Sequence, residues 1–375
     1  MIKILIRKIT LPNHRDFIRY RLIKVVLYVK LCVLLESLLV TNKKIVACLI
    51  NEKNLEKKIK VSFLIFEYHR LYGSFININK TRKYYLKLIS KQEFIEKNIS
   101  EIISAKIELG DFSKVKERFF NSRESIIRTN QKLLIDFFEN KNNKNLDIIN
   151  KKFFKMINNK SIAVVGPANP LENNGKEIDS FDYIVRINIL LSDKSAITLD
   201  ETKTGLKTDI IYYNDDMVRR WEETIMSLKS NTWNVFKNKK NSKKYIDKTK
   251  RETCSTQTTL DFLRGSTTAG SMMVPNILFD LLKYNPKKIK VFNVDFYYDG
   301  FNYMDDYKKK INIERNVAIF SKELRKHDAF FNYQLIKNFL NNKKIQIDKM
   351  GMRPMIISDK GYADRLDNFF SKYTY

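Results

Sequence analysis

Residues 161–188 read SIAVVGPANPLENNGKEIDSFDYIVRIN, and this stretch decides the fold. The apolar run Ile162 to Val165 has the length of a buried strand and stops at Gly166-Pro167. A glycine-containing loop follows, and then a second β-rich run, Tyr183 to Ile187, which ends beside Asn188. A strand that turns sharply on a glycine is how a parallel sheet ends at its carboxyl edge, where nucleotides bind in open α/β folds. Further along, Asp209 to Tyr213 and Ile289 to Val294 are again short and β-rich, with helical patterns between them. Such alternation implies an open, mostly parallel sheet, so residues 155–375 are expected to form a Rossmann-like α/β domain.

Upstream the pattern changes. Residues 1–150 place apolar side chains at three- and four-residue intervals, as in Lys91 to Ile107 and Phe112 to Phe138, and form a mainly helical region of unknown role. Gly110-Asp111 is a break between two such helices, and the polar run Asn140 to Asn150 is a linker. Leu22 to Ile50 is the most apolar run, but Lys24, Lys30, Glu36, Lys43 and Lys44 interrupt it. It falls short of the roughly 18 apolar residues in a row that a spanning helix requires. It suits either a core helix or an amphipathic helix on an anionic membrane face. Lys3, Arg7 and Lys8 break up the first apolar residues, so no signal-peptide pattern is present. Cys32, Cys48 and Cys254 lie far apart with no CxxC pair, which argues against a disulfide framework or a zinc site. The expected location is cytoplasmic, with peripheral contact at the membrane as an option.

Two more segments belong with the first. Arg264 to Tyr303, RGSTTAGSMMVPNILFDLLKYNPKKIKVFNVDFYYDGFNY, joins a hydroxyl-rich loop, an apolar helix, a strand and a tyrosine-rich loop. Lys326 to Leu340, KHDAFFNYQLIKNFL, puts His327 at the start of an amphipathic helix. Together the three resemble the sialyltransferases. Gly175 to Asp182 followed by Arg186 and Asn188, and His327 to Phe331 as H-D-A-x-F, are similar to motifs of the animal Golgi enzymes of glycosyltransferase family 29. Thr268-Ala269-Gly270, the strand ending Asp295-Phe296-Tyr297 and the second tyrosine at Tyr303 are similar to motifs of the bacterial lipo-oligosaccharide enzymes of family 42. The resemblance covers residues 160 to 348, about half the chain.

The resemblance implies a nucleotide-sugar domain and a metal-independent, inverting transfer of sialic acid from its CMP ester to a glycan hydroxyl. No cofactor is expected. Departure of CMP needs donors to meet growing negative charge on the phosphate, and hydroxyls can replace a cation there. Tyr297 and Tyr303 carry that role if Gly300 folds the loop back, with Asp295-Phe296 capping the strand beneath. His327 is the implied general base, since imidazole titrates near neutrality; His14 and His69 lie outside the resemblance. Gly166, Asn188, Asn214, Thr267, Thr268 and Gly270 match donor-binding positions, and Arg264 is a candidate contact for the acceptor or the donor's carboxylate. Arg186 is read as a brace for its strand through Asp179 or Asp182. Three positions depart from the motifs: Pro167 stands where an asparagine is expected, Ala269 where a serine is, and Asn332 where a glutamate is. Asn169 is the candidate to supply the amide lost at Pro167.

Asp215-Asp216 and Asp305-Asp306 lack the spacing of a metal-binding DxD and are read as solvated carboxylates. With 70 Lys and Arg against 42 Asp and Glu, the net charge is +28, which favours anionic partners such as an acidic glycan acceptor. The very basic run Lys237 to Arg251 is a solvated insertion or an acceptor-binding loop. No spacing typical of a nucleic-acid-binding module occurs, so no specific nucleic-acid partner is expected. A CMP-Kdo-type transferase of the same fold, a non-catalytic glycan- or nucleotide-binding relative and a nucleic-acid-binding protein remain as rivals.

Overall fold

The computed structural model describes residues 55–72, 74–90, 99–109, 135, 151–189, 199–214, 217–219, 222–223, 225, 232–236, 241, 243–245, 253–255, 272–306, 308, 324 and 329–370. Its centre is a seven-stranded sheet in which every neighbouring pair runs parallel. The strands are β1 (Ser161–Val165), β2 (Tyr183–Ile187), β3 (Ile210–Tyr213), β4 (Trp233–Phe236), β5 (Thr253–Ser255), β6 (Lys288–Phe292) and β7 (Gln346–Ile347). Their spatial order is β5-β4-β3-β2-β1-β6-β7. The chain builds outward from β1 to β5, then returns across the sheet and lays β6 on the other flank of β1. The order therefore reverses between β1 and β6, and the crevice beyond their carboxyl ends is the ligand position of such sheets.

The α/β architecture expected from the sequence is present. The runs Ile162 to Val165, Tyr183 to Ile187, Asp209 to Tyr213 and Ile289 to Val294 all coincide with strands to within two residues. Buried strands of β-branched and aromatic residues are what a parallel sheet covered on both faces requires. Ile162, Val164, Val185, Ile210, Tyr212, Val235, Ile289 and Val291 point into one core. Ala163, Val165, Ile184 and Phe292 point to the opposite face with Ile178 and Phe181, and Ile211, Tyr213 and Phe236 do so with Val218 and Tyr245.

The larger core is roofed by helices from both ends of the chain. These are α1 (Leu55–Tyr72), α2 (Phe75–Ile89), α3 (Ile99–Leu109), α4 (Lys151–Ile157), α6 (Met273–Leu282), α7 (Ala329–Asn341) and α9 (Asp359–Phe370). α5 (Gly175–Asp179) lies on the other face, and α8 (Lys349–Met355) follows β7. The amino-terminal helices share their core with the domain: Phe75 packs on Phe330 and Phe370, and the Asp367 carboxylate accepts the first N–H groups of α2, from Phe75 at 2.5 Å and Ile76 at 3.0 Å. Among the described residues no helix is long and apolar enough to cross a membrane. Leu22 to Ile50, Gly110-Asp111 and Asn140 to Asn150 lie outside the described residues.

Three findings correct the reading of the sequence. Tyr245 lies within the basic run taken as solvated, yet it is fully buried, packs its ring at a tilt against Phe236 with centroids 5.2 Å apart, and accepts a hydrogen bond from Asn234 at 3.0 Å. Its ring outweighs the neighbouring lysines, which keep their charged ends outside. Arg186 does brace its strand, but through the carbonyls of Thr204, Gly205 and Lys207 and the Thr208 hydroxyl, while Asp179 accepts the N–H groups of Leu206 and Lys207 in the same loop. Burial lowers the Arg186 guanidinium to about 10, which still leaves it charged near neutrality. The polar and aromatic composition after Met350 reads as ordered surface, yet the chain there completes α8 and forms α9, with Tyr362, Ala363, Leu366 and Phe370 in the core.

Candidate active site at the strand-order reversal

Four of the inner strands, β1, β2, β3 and β6, are followed by a glycine or an asparagine, residues fitted for a tight exit. β1 stops at Gly166, where a Cβ would run into the Val294 side chain and lie 2.5 Å from the Asn293 carbonyl. Only glycine lets the two chain segments meet so closely. Asparagines follow β2, β3 and β6: Asn188, Asn214 and Asn293. Asn188 and Asn293 are left-handed, with φ of 52° and 55°, a region where asparagine is tolerated far better than branched residues. Asn188 and Asn293 flank Gly166 from the two neighbouring strands, so about 10 Å of crevice separates them.

The loop after β1 and the tyrosine loop are laced together. Gly166 N–H donates to Phe292 O at 2.8 Å, Ala168 N–H to Asn293 O at 3.1 Å, Asn169 N–H to Asn302 O at 2.8 Å, and Met304 N–H to Pro167 O at 3.0 Å. Pro167, which has no N–H to offer, thus contributes its carbonyl. Asn169 takes part through its backbone, and its side chain is exposed.

The tyrosine loop itself folds back as its glycine suggested. Phe296 and Tyr297 are both left-handed, at φ 51° and 63°, and Gly300 follows at 72°. Asp295 makes this possible by accepting the Tyr297 N–H at 3.0 Å. The turn brings the Tyr303 hydroxyl to 3.4 Å from that of Tyr297, with Phe301 packed against both rings. Burial pushes the Tyr297 phenol above its ordinary range, so it stays protonated and able to donate at neutral pH. Burial likewise raises Asp295, to about 7.

A second shell of side chains from the end of the chain holds this loop. Tyr362 donates to Phe296 O at 2.7 Å, and Arg365 to Tyr298 O at 3.1 Å. Arg353 and Arg365 both pair with Asp299 and lie over the Tyr298 ring, each within 5 Å of its centre. The Phe369 ring packs against Gly300 at the place where a Cβ would stand. Sequence reasoning missed these supports, because nothing in the local pattern of residues 353–369 marks them as partners of a loop sixty residues earlier.

Asn188 and Asn214 prove to be linked. The Asn188 Oδ1 accepts the Asn214 N–H at 2.9 Å, and the Asn214 Oδ1 accepts the Met217 N–H at 2.7 Å. Asn214 is therefore occupied in its own turn, whereas the Asn188 amide N–H2 makes no hydrogen bond among the described residues. The Asn332 carbonyl oxygen accepts the N–H of Met272, the residue that caps α6, at 2.7 Å. That bond gives Asn332 a structural duty. Asp305 pairs with Lys308 on an exposed turn, and among the described residues no group of three His, Cys, Asp or Glu could hold a metal ion.

Tyr297, Tyr303, Gly166, Asn188 and Asn214 thus come together along one edge of the sheet. His327, Arg264, Thr267, Thr268 and Gly270 lie outside the described residues, as do Asp215 and Asp216. Among the described residues, the Asn332–Met272 bond joins the starts of α7 and α6. No protein-family model matches this chain, and no curated protein matches it either.

Proposed function

We propose that the protein is a glycosyltransferase that moves sialic acid, or a similar 2-keto acid sugar, from its CMP ester to a glycan hydroxyl with inversion and without a metal. One observation carries the reading: two phenols six residues apart meet at 3.4 Å where the strand order reverses, and burial keeps the Tyr297 phenol protonated. In this reading Tyr297 and Tyr303 donate to the phosphate oxygens as the bond from the sugar's anomeric carbon to the phosphate breaks. Preorganised donors of this kind contribute roughly 3–4 kcal/mol each to a transition state. The acceptor oxygen forms the new bond to that carbon from the opposite face, and its proton passes to His327. Asn188 orients the donor through its amide N–H2, and Thr267, Thr268 and Gly270 receive the carboxylate. A Kdo-like sugar offers the same carboxylate and ketal centre, so the donor class is CMP-activated 2-keto acid sugars. The net charge of +28 suits an acidic acceptor at an anionic membrane surface.

Release of CMP from CMP-sialic acid by the purified protein tests this. Tyr297→Phe and Tyr303→Phe are expected to lower kcat by about 10²-fold or more with little change in thermal midpoint. His327→Ala is expected to abolish transfer while donor binding persists. Absence of CMP release from the wild type with any acceptor supplied, together with unaltered nucleotide binding, would favour a non-catalytic binding protein. Pro167, whose carbonyl is committed to Met304, is the residue that favours this second reading.

A further inference from the structure

We infer that the Asn293 carboxamide, with Asp295 beside it, reads the edge of a nucleobase; this rests on the nucleotide-sugar reading above and names the part of the nucleotide that is recognised. Asn293 is the first residue past β6, at the reversal of strand order. Its backbone is clamped on both sides: its N–H donates to Asp348 Oδ2 at 2.8 Å and its carbonyl accepts from Ala168 N–H at 3.1 Å. Its side chain is fully buried, yet neither Nδ2 nor Oδ1 has a hydrogen-bond partner. Two residues on, the Asp295 carboxyl is buried as well, with the Tyr297 and Asp299 N–H groups directed at it, and the Tyr213 hydroxyl at the end of β3 is buried without a partner. Asn293 and Tyr213 thus leave buried polar atoms unpaired at two separate strand ends of the carboxyl edge, after β6 and at the end of β3.

Leaving a buried amide unpaired is costly, and glycine would adopt the same left-handed backbone without that cost. A chain that breaks a local rule at a strand end, in the crevice where such sheets bind ligands, is most simply read as keeping the group for a ligand. The chemistry selects which part of the ligand. A phosphate or carboxylate presents acceptors only and would leave Oδ1 unpaired. A nucleobase edge presents a donor and an acceptor side by side in one plane, which the planar carboxamide matches on both atoms. For cytosine, N4–H donates to Oδ1 and N3 accepts from Nδ2–H. The same loop then runs on to the tyrosines proposed for the phosphate, so base and phosphate are met in sequence order. The ligand reaches this amide by displacing the side chains that cover it, and the hydrogen bonds gained offset that displacement.

Titration calorimetry of the full chain with CMP and with ribose 5-phosphate, which lacks the base, tests the assignment. The wild type is expected to prefer CMP, and Asn293→Gly to shrink the CMP to ribose 5-phosphate affinity ratio about tenfold, within the range of a bidentate base contact. The ligand-free thermal midpoint of Asn293→Gly is expected to hold or rise, as it would not for an amide that serves only structure. Because the ratio is taken within one protein, a change in stability does not imitate the effect. Should the glycine variant fail to fold, the same ratio in Asn293→Ser decides. An unchanged ratio would overturn the base-reading role and leave the CMP-sugar reading standing. Failure of the wild type to bind CMP at all would overturn both.

Discussion

Asp295 meets two opposing demands. Its Oδ1 must accept the Tyr297 N–H to set a turn of two left-handed residues, while its burial resists the negative charge that makes a carboxylate a good acceptor. Its proton is released near pH 7 in the folded protein, against about 3.8 when unfolded. Because the folded form holds the proton more tightly, this group costs nothing below the unfolded value. Stability is lost as pH rises from about 4 to 7, and the full penalty persists above 7. Asp295→Asn, which keeps an acceptor for Tyr297, should therefore raise the thermal midpoint at pH 8 and leave it nearly unchanged at pH 4. A difference on the order of 2–4 kcal/mol is expected at pH 8. Equal midpoints for the two proteins across that range would show that the carboxyl is not held protonated. Asp348, also raised by burial, receives the backbone N–H groups of Asn293 and Gly351 and supports the same edge from the β7 side.

At the scale of elements, the tyrosine loop shows how far local sequence reaches. The fold-back at Gly300 was legible because a glycine stood between two tyrosines after a strand, and so was the edge position of Gly166, Asn188 and Asn214. β4, β5 and β7 were not legible: β4 and β5 are only four and three residues long, β7 is two, and polar or charged neighbours interrupt their apolar pattern. The helices after Met350 escaped notice for a related reason, since their apolar face is made largely of Tyr362, Phe369 and Phe370, residues that suit a surface as well as a core. Gly300 gives a direct test of the loop. Its φ of 72° and the Phe369 ring beside it leave no room for a methyl group. Gly300→Ala is expected to cost about 2–4 kcal/mol in urea unfolding and to disrupt the phenol pair. Gly361→Ala, within α9 and facing only ordinary contacts, should be neutral or stabilising by about 1 kcal/mol. Similar losses in both variants would argue against a specific fit at Gly300.

Across the whole molecule, the described helices of the first 110 residues and the last helix form one roof over the sheet, joined by Asp367 at the start of α2 and by Phe75 between Phe330 and Phe370. That long-range joint could not be read from either end alone, because capping across nearly three hundred residues leaves no local signature. Asp367→Ala removes a cap that accepts two N–H groups and is expected to cost about 1–2 kcal/mol, read as a lower urea midpoint. An unchanged midpoint would show that the joint contributes little. The charge excess acts at this scale too. The protein is expected to sediment with vesicles rich in anionic lipid at low salt and to be released at high salt. Equal sedimentation with neutral vesicles would dismiss electrostatic attraction as the cause. The grip of α9 on the tyrosine loop has a further consequence during synthesis. Tyr362, Arg365 and Phe369 are translated some sixty residues after the turn they steady, so a nascent chain carries its phenols well before it can aim them. A premature stop just upstream of Asp359 would leave the sheet's strands encoded in full and their nucleotide crevice without its backstop.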